Sequence, residues 1–178
     1  MKLSNEQRAA RVEVIAFDVD GVLTKGEIIY PGAEGEIKVF DVQDGYGFAL
    51  AHRAGLRLAL ITGRASDAVR RRAHELKVEL LLEGQANKAA ALTELLAKLR
   101  VKPSQVCYVG DDLVDIPALL RVGFPVAVAN AVTEVKEVAC AQTERRGGEG
   151  AAREIIEYIL KAKGLWTSIV QSYRNEVA

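Results

Sequence analysis

The stretch VEVIAFDVDGVLT, Val12 to Thr24, decides how the rest of the chain is read. Five of the six residues Val12–Phe17 are apolar, the composition of a buried strand. Two aspartates, Asp18 and Asp20, then arrive with a single residue between them. Carboxylates that close repel one another, so one is protonated or a cation sits between them.

Further apolar runs follow: LRLALI (56–61), VELLL (78–82), QVCYV (105–109) and FPVAVA (124–129). Amphipathic stretches separate them: GFALAHRAG (47–55), ASDAVRRRAHEL (65–76), NKAAALTELLAKL (87–99) and DLVDIPALLRVG (112–123). Strands alternating with helices of this length build crossover units. The fold expected is therefore a doubly wound, Rossmann-like α/β domain with a mainly parallel sheet. At 178 residues the chain reads as one domain, 1–178, with a real core. One excursion interrupts the alternation. GEIIYPGAEGEIKVF (26–40) holds two β-prone runs around Pro-Gly and Gly-rich turn signals, and reads as a β-hairpin insertion over about 26–41. ERRGGEGAAREIIEYILKAKGLW (144–166) reads as a Gly-rich loop opening a final helix, followed by a polar tail over about 165–178.

The formal net charge is zero, so no global field recruits nucleic acid or an anionic membrane. No apolar run reaches the ~18 residues needed to span a bilayer. The opening MKLSNEQRAARVEV lacks the apolar core of a signal peptide, and the two cysteines, Cys107 and Cys140, have no metal-ligand spacing. A cytoplasmic location is expected.

In open α/β sheets, ligands bind beyond the carboxyl ends of the strands, so the residues closing each run carry the information. The first run ends in Asp18 and Asp20, the second in Thr62, Gly63 and Arg64. After the third, EGQANK delivers Lys88 at a helix start; the fourth ends in Asp111 and Asp112, with Asp115 one turn on. Singly, each has a plain structural reading: Thr62 a turn, Lys88 a solvated cation, Asp112 a helix cap. Together, four carboxylates (Asp18, Asp20, Asp111, Asp112), a hydroxyl and an ammonium at one rim need more than turns. Clustered acids call for a cation, and hard oxygen ligands favour Mg²⁺. The lysine and the hydroxyl suit the oxygens of a phosphoryl group held against that ion.

Four motifs in order, DVDGVLT, ITGR, Lys88 and GDDLVD, resemble those of the haloacid dehalogenase superfamily of phosphotransferases. Within it, the hairpin excursion, VQDGYG, GDDLVDIP and GGEGAARE resemble the 3-deoxy-D-manno-octulosonate 8-phosphate phosphatases over nearly the whole chain. The resemblance implies a phosphoric monoester hydrolase that releases 3-deoxy-D-manno-octulosonate (KDO) for lipopolysaccharide precursors. It makes Asp18 the nucleophile and Asp20 the general acid and base. Asp18, Asp111 and the backbone carbonyl of Asp20 are the implied Mg²⁺ ligands. Thr62 and Lys88 are to hold the phosphoryl oxygens, with Asp112 and Asp115 orienting Lys88 or metal-bound water. Implied substrate contacts are Asp41, Val42, Gln43, Asp44, Gly45, Gly63, Arg64 and Arg72. Helical pattern alone does not choose among Arg70, Arg71 and Arg72, and His52 and His74 read as structural.

Two other readings stay open on the residues. A nonulosonate 9-phosphate phosphatase would use the same chemistry on a related acidic keto sugar. A non-enzymatic receiver-like phosphoacceptor also clusters acids, Thr and Lys at strand ends, but lacks a second acid two residues after the acceptor. Finally, the segment between Thr24 and Thr62 is too short for a separate cap domain, while its hairpin offers Ile28, Ile29, Tyr30, Val39 and Phe40 for burial. The expectation is a homotetramer whose neighbouring subunits complete the site, with the 144–154 loop or the C-terminal tail helping to close it.

Overall fold

The computed structural model describes residues 3–31 and 36–175. Six strands form one parallel sheet: β1 (Val14–Phe17), β2 (Arg57–Ile61), β3 (Leu80–Leu82), β4 (Val106–Gly110), β5 (Phe124–Ala127) and β6 (Ala141–Gln142). Their order is β3-β2-β1-β4-β5-β6, so the chain reverses its direction of travel between β1 and β4. That reversal opens a crevice above β1 and β4, where the fold class binds ligands. Phe17 pairs with Leu60 on one side and Val109 on the other, so the three central strands end within one residue of one another.

The helices are α1 (Asn5–Ala9), α2 (Val42–Arg53), α3 (Asp67–Glu75), α4 (Lys88–Leu99), α5 (Ile116–Leu119), α6 (Thr133–Val138), α7 (Ala151–Ala162) and α8 (Trp166–Asn175). Leftward and rightward right-handed crossovers put their helices on opposite faces. Accordingly α2 packs with α7, and α4 with α5. Strands β1, β4 and β5 are buried along their whole length, as expected of apolar runs without alternation. Phe17 and Phe48 stack at 5.2 Å, joining β1 to α2. Cys107 is fully buried, and desolvation pushes its thiol pKa far up, which suits an inert core residue.

The expected elements differ from the observed ones in four places. The 112–123 helix is a 3₁₀ turn, Leu113–Asp115, followed by the four-residue α5. Asp115 tightens that turn, because its Oδ2 accepts from the backbone of Asp111 at 3.0 Å and Asp112 at 3.3 Å. The hairpin is reduced to one antiparallel bridge, Ile29 with Ile37, since an isolated two-stranded ribbon is marginal in water; its turn lies outside the described residues. The polar tail is the helix α8 through Asn175, with 176–178 outside the described residues. Trp166, Ile169, Val170 and Tyr173 recur at helical spacing, and Tyr173 meets the hydroxyl of Tyr46 at 2.6 Å while Arg53 lies over its ring. Lastly, α1, α6 and β6 were not anticipated; each is too short to show a period.

The loop before α7 docks on the turn after β1. Asn130 donates to the carbonyl of Gly21 at 2.9 Å and accepts from the Gly147 N–H at 2.6 Å. A Cβ on Gly147 would lie 1.8 Å from the Gly21 carbonyl oxygen, and the obstacle is backbone. Gly147→Ala is therefore expected to cost about 1–3 kcal/mol, read as a lower thermal midpoint; an unchanged midpoint would mean that this docking does not hold the loop.

Candidate active site

Asp18 continues β1 by one residue, its N–H donating to the Val109 carbonyl at 3.0 Å. Its side chain therefore emerges where β1 and β4 diverge. The turn that follows folds back through Leu23 and Thr24 N–H bonds to the Val19 carbonyl. Gly21 has φ +89°, and a Cβ there would collide with the Asp111 carboxylate at 2.0 Å, so only glycine lets the turn pass that acid. After β2, the Thr62 hydroxyl, 1 % exposed, accepts from the Arg64 N–H at 3.2 Å. Asn87 caps α4 by accepting from Ala90 N, which sets Lys88 as the first helical residue. Its buried Nζ donates to Asp18 Oδ1 and to the Ile61 carbonyl, both at 2.5 Å, and lies 3.6 Å from Asp115 Oδ1.

Beyond β4, Asp111, Asp112 and Asp115 divide their work. Asp115 is fully buried and also accepts from the Tyr108 hydroxyl at 2.8 Å. Asp112 accepts from the Leu113 N–H at 2.7 Å, the capping role that its sequence position allows. Asp111 Oδ1 is buried with no hydrogen-bond partner. Carboxylate oxygens of Asp18, Asp111 and Asp115 lie within 4.8 Å of one another. The pKa of Asp18 is pushed up to about 6, by burial first and then by Asp115, against the pull of Lys88. That of Asp111 is pushed up to about 8, by burial and then by Asp18 and Asp115. One lysine does not balance this group. An unpartnered buried carboxylate oxygen beside two further acids fits a hard divalent cation, which Asp18 and Asp111 could hold.

Asp18, Asp20, Thr62, Gly63, Arg64, Lys88, Asp111 and Asp112 line one cavity of about 220 Å³, joined by Gln85, Ala86 and Val114, which the sequence did not single out. The Asp41–Gly45 segment and Arg72 are not among its lining residues. Asp41 caps α2, accepting from Gln43 and Asp44 N–H. Val42 and Gln43 begin that helix on the surface, Gln43 accepting from Arg145 at 2.8 Å. Asp44 is 4 % exposed and accepts from the Arg153 N–H at 2.8 Å, so it caps α7 from across the fold. Burial raises its pKa to about 6. Among the three arginines, Arg70 pairs with Asp67 and Glu83, and Arg71 with Glu75. Arg72 is the one that turns to the 40–45 segment: it lies over the Phe40 ring at 5.7 Å and packs against Gly45.

Two further residues beside the cavity escaped the sequence reading. Lys38 donates to Asp20 Oδ1, and Glu36 accepts from Arg64 at 3.1 Å. Their signal was the period-two spacing within EIKVF, which puts positions 36 and 38 on one side of an extended segment.

Residues 78–155 match the family of haloacid dehalogenase-like hydrolases. The 3-deoxy-D-manno-octulosonate 8-phosphate phosphatase of Yersinia pestis is 43 % identical over 158 residues, 88 % of this chain and 84 % of that protein. The enzyme of the same name from Escherichia coli K12 is 42 % identical over the same shares. Among solved structures, the Moraxella catarrhalis 3-deoxy-D-manno-octulosonate 8-phosphate phosphatase, in complex with magnesium, phosphate and KDO, superposes with a TM-score of 0.93. It is 40 % identical, and the match covers 95 % of this chain and 97 % of that one. The cobalt-bound Haemophilus influenzae enzyme gives a TM-score of 0.88 at 38 % identity, over 90 % of this chain and 94 % of that one. With this identity across most of both chains, and with the acids, threonine and lysine of the motifs gathered at one cavity, the chain belongs to the 3-deoxy-D-manno-octulosonate 8-phosphate phosphatase family of haloacid dehalogenase-like hydrolases.

Proposed function

We propose that this protein is a Mg²⁺-dependent phosphatase acting on 3-deoxy-D-manno-octulosonate 8-phosphate. The observation that carries this reading is the buried, unpartnered Asp111 Oδ1 within reach of Asp18, whose other neighbour is Lys88. Asp18 and Asp111, with the carbonyl of Asp20, would hold the ion. When bound, Mg²⁺ offsets carboxylate repulsion and draws charge from the phosphoryl oxygens.

The chain's own residues carry the reaction. An Asp18 oxygen bonds to phosphorus as the bond from phosphorus to the sugar oxygen breaks, giving an aspartyl phosphate. Asp20 gives its proton to the departing oxygen. It then takes one from the water that attacks phosphorus, which frees phosphate and restores Asp18. Lys88 fixes the plane of the Asp18 carboxylate and, with Thr62, faces the phosphoryl oxygens. Asp115 in turn holds Lys88. Arg64 at the cavity rim is the cation placed for the acidic end of the sugar.

The same reading extends to assembly and location. Ile28, Tyr30, Val39 and Val42 are half or more exposed, an apolar group large for a monomer's surface and suited to pairing between copies. A homotetramer whose neighbours wall the sugar side of the cavity accounts for it. No described helix is long and apolar enough to cross a membrane, and Cys107 sits as a buried thiol in the core, which suits a reducing cytoplasm.

Three measurements test this. Phosphate release from the octulosonate 8-phosphate, beside a nonulosonate 9-phosphate and with or without Mg²⁺, should favour the former and need the ion. Asp18→Asn should stay folded and release none; activity in that variant would remove the mechanism. The second measurement is thermal stability of chelated protein against pH. Folded-state pKa values raised to about 6 and about 8 mean that Asp18 and Asp111 favour folding at low pH and lose that favour as pH climbs from about 4 to 8. The metal-free midpoint should fall across that window, Asp111→Asn should flatten the fall, and added Mg²⁺ should stabilise most at its upper end. A metal-free protein equally stable at both ends contradicts the site. Light scattering is the third: a tetramer is expected, and a selective, active monomer rules the assembly out.

A further inference from the structure

Lys38 belongs to none of the motifs, yet its side chain is 1 % exposed. An ammonium so buried needs partners. It has two among the described residues: Asp20 Oδ1, in direct contact, and Glu36 Oε1 at 3.5 Å. Glu36 also accepts from Arg64, so one row of alternating charge, Asp20–Lys38–Glu36–Arg64, runs from the motif to the cavity rim. Each aspartate of the first motif thus has its own lysine, Lys88 on Asp18 and Lys38 on Asp20. The three carboxylates gathered within 4.8 Å are Asp18, Asp111 and Asp115; Asp20 is not one of them.

We propose that Lys38 is a positioning residue: by binding the Asp20 carboxylate on the insertion side of the cavity, it keeps that group off the metal and free for proton transfer. This rests on the role given to Asp20 above. A carboxylate two residues from a metal-binding aspartate has the ion within reach of a rotamer change. Once coordinated, it no longer serves the leaving oxygen. Lys38 offers a competing partner, shielded from water, and charge-assisted hydrogen bonds are about twice as strong as neutral ones. A plain anchoring role for the insertion makes a different statement. Losing an anchor loosens the cavity and weakens substrate and metal together, whereas losing the positioning partner lets Asp20 join the metal.

The test uses the full chain with Lys38→Met, a side chain of similar length without charge. Mg²⁺ binding is measured by calorimetry without substrate, and kcat and KM are measured with the octulosonate phosphate. Expected are a fall in kcat of about 10²-fold, a KM changed little, and Mg²⁺ bound at least as tightly as by the unaltered protein. In an Asp20→Asn background the same change should cost nothing further, because its target is gone. Unaltered kcat, weaker Mg²⁺ binding, or a full extra loss on top of Asp20→Asn overturns the proposal. Asp20→Asn alone reports on the proton-transfer role, so failure of that role is told apart from failure of this one. If Lys38→Met does not fold, Lys38→Gln carries the same comparisons.

Discussion

Repulsion among carboxylates at the ends of β1 and β4 is the constraint around which this molecule is built. Two unit charges 4 Å apart cost about 4 kcal/mol at an effective dielectric of 20. Asp18, Asp111 and Asp115 present three such pairs in a buried place. Lys88 offsets part of it, contacting Asp18 directly and Asp115 at 3.6 Å. Asp115 is further quieted by two backbone N–H groups and the Tyr108 hydroxyl. Asp111 has no such relief at Oδ1, and its pKa is pushed higher than that of Asp18. The acid whose ionisation is opposed more than that of Asp18 is the one proposed to hold the metal beside it, so on that reading the electrostatic cost and the chemistry have one cause.

Only a rigid support keeps like charges in that arrangement. Parallel pairing of β1 with both β2 and β4 brings the strand ends within one residue of level, which holds Asp18, Thr62 and Asp111 at one rim. The turn after β1 is then pinned from outside the sheet. Asn130 ties Gly21 to Gly147, and the Gly148 N–H donates to the Val22 carbonyl at 3.1 Å. The GGEG segment expected to help close the pocket thus supports the turn that carries Asp20, and it is absent from the cavity lining.

What the sequence revealed and what it hid divide by the range of the interactions. The five long apolar runs were readable because a strand buried on both faces needs continuous apolar residues. Asp18, Thr62, Lys88 and Asp111 were readable because strand ends in this fold share one rim. Asp44 was not, since its partner, the Arg153 N–H, is 109 residues away and no local pattern announces it. Lys38 was hidden likewise: EIKVF shows an alternation but not what the lysine meets. The helix α8 was legible in the spacing of Trp166, Ile169, Val170 and Tyr173, yet the interleaved Thr167, Ser168, Gln171 and Ser172 made the segment look like a polar tail.

On the proposed function, chemistry and selectivity fall to separable parts of this fold. Every group assigned to phosphoryl transfer hangs from the end of a core strand, the turn that follows β1 or the first turn of a helix. Arg64 at the cavity rim, and Glu36, Lys38, Phe40, Asp41 and Arg72 outside its lining, come instead from the insertion, the loop after β2, the N-cap of α2 and the body of α3. These hold one another through ion pairs and through Arg72 lying over the Phe40 ring. On that proposal, substitutions there alter the sugar side while leaving β1 and β4 in place. Lys38 is the exception, because it reaches from the insertion to Asp20. Through that one contact the proposed positioning role ties the insertion to the acid assigned to proton transfer.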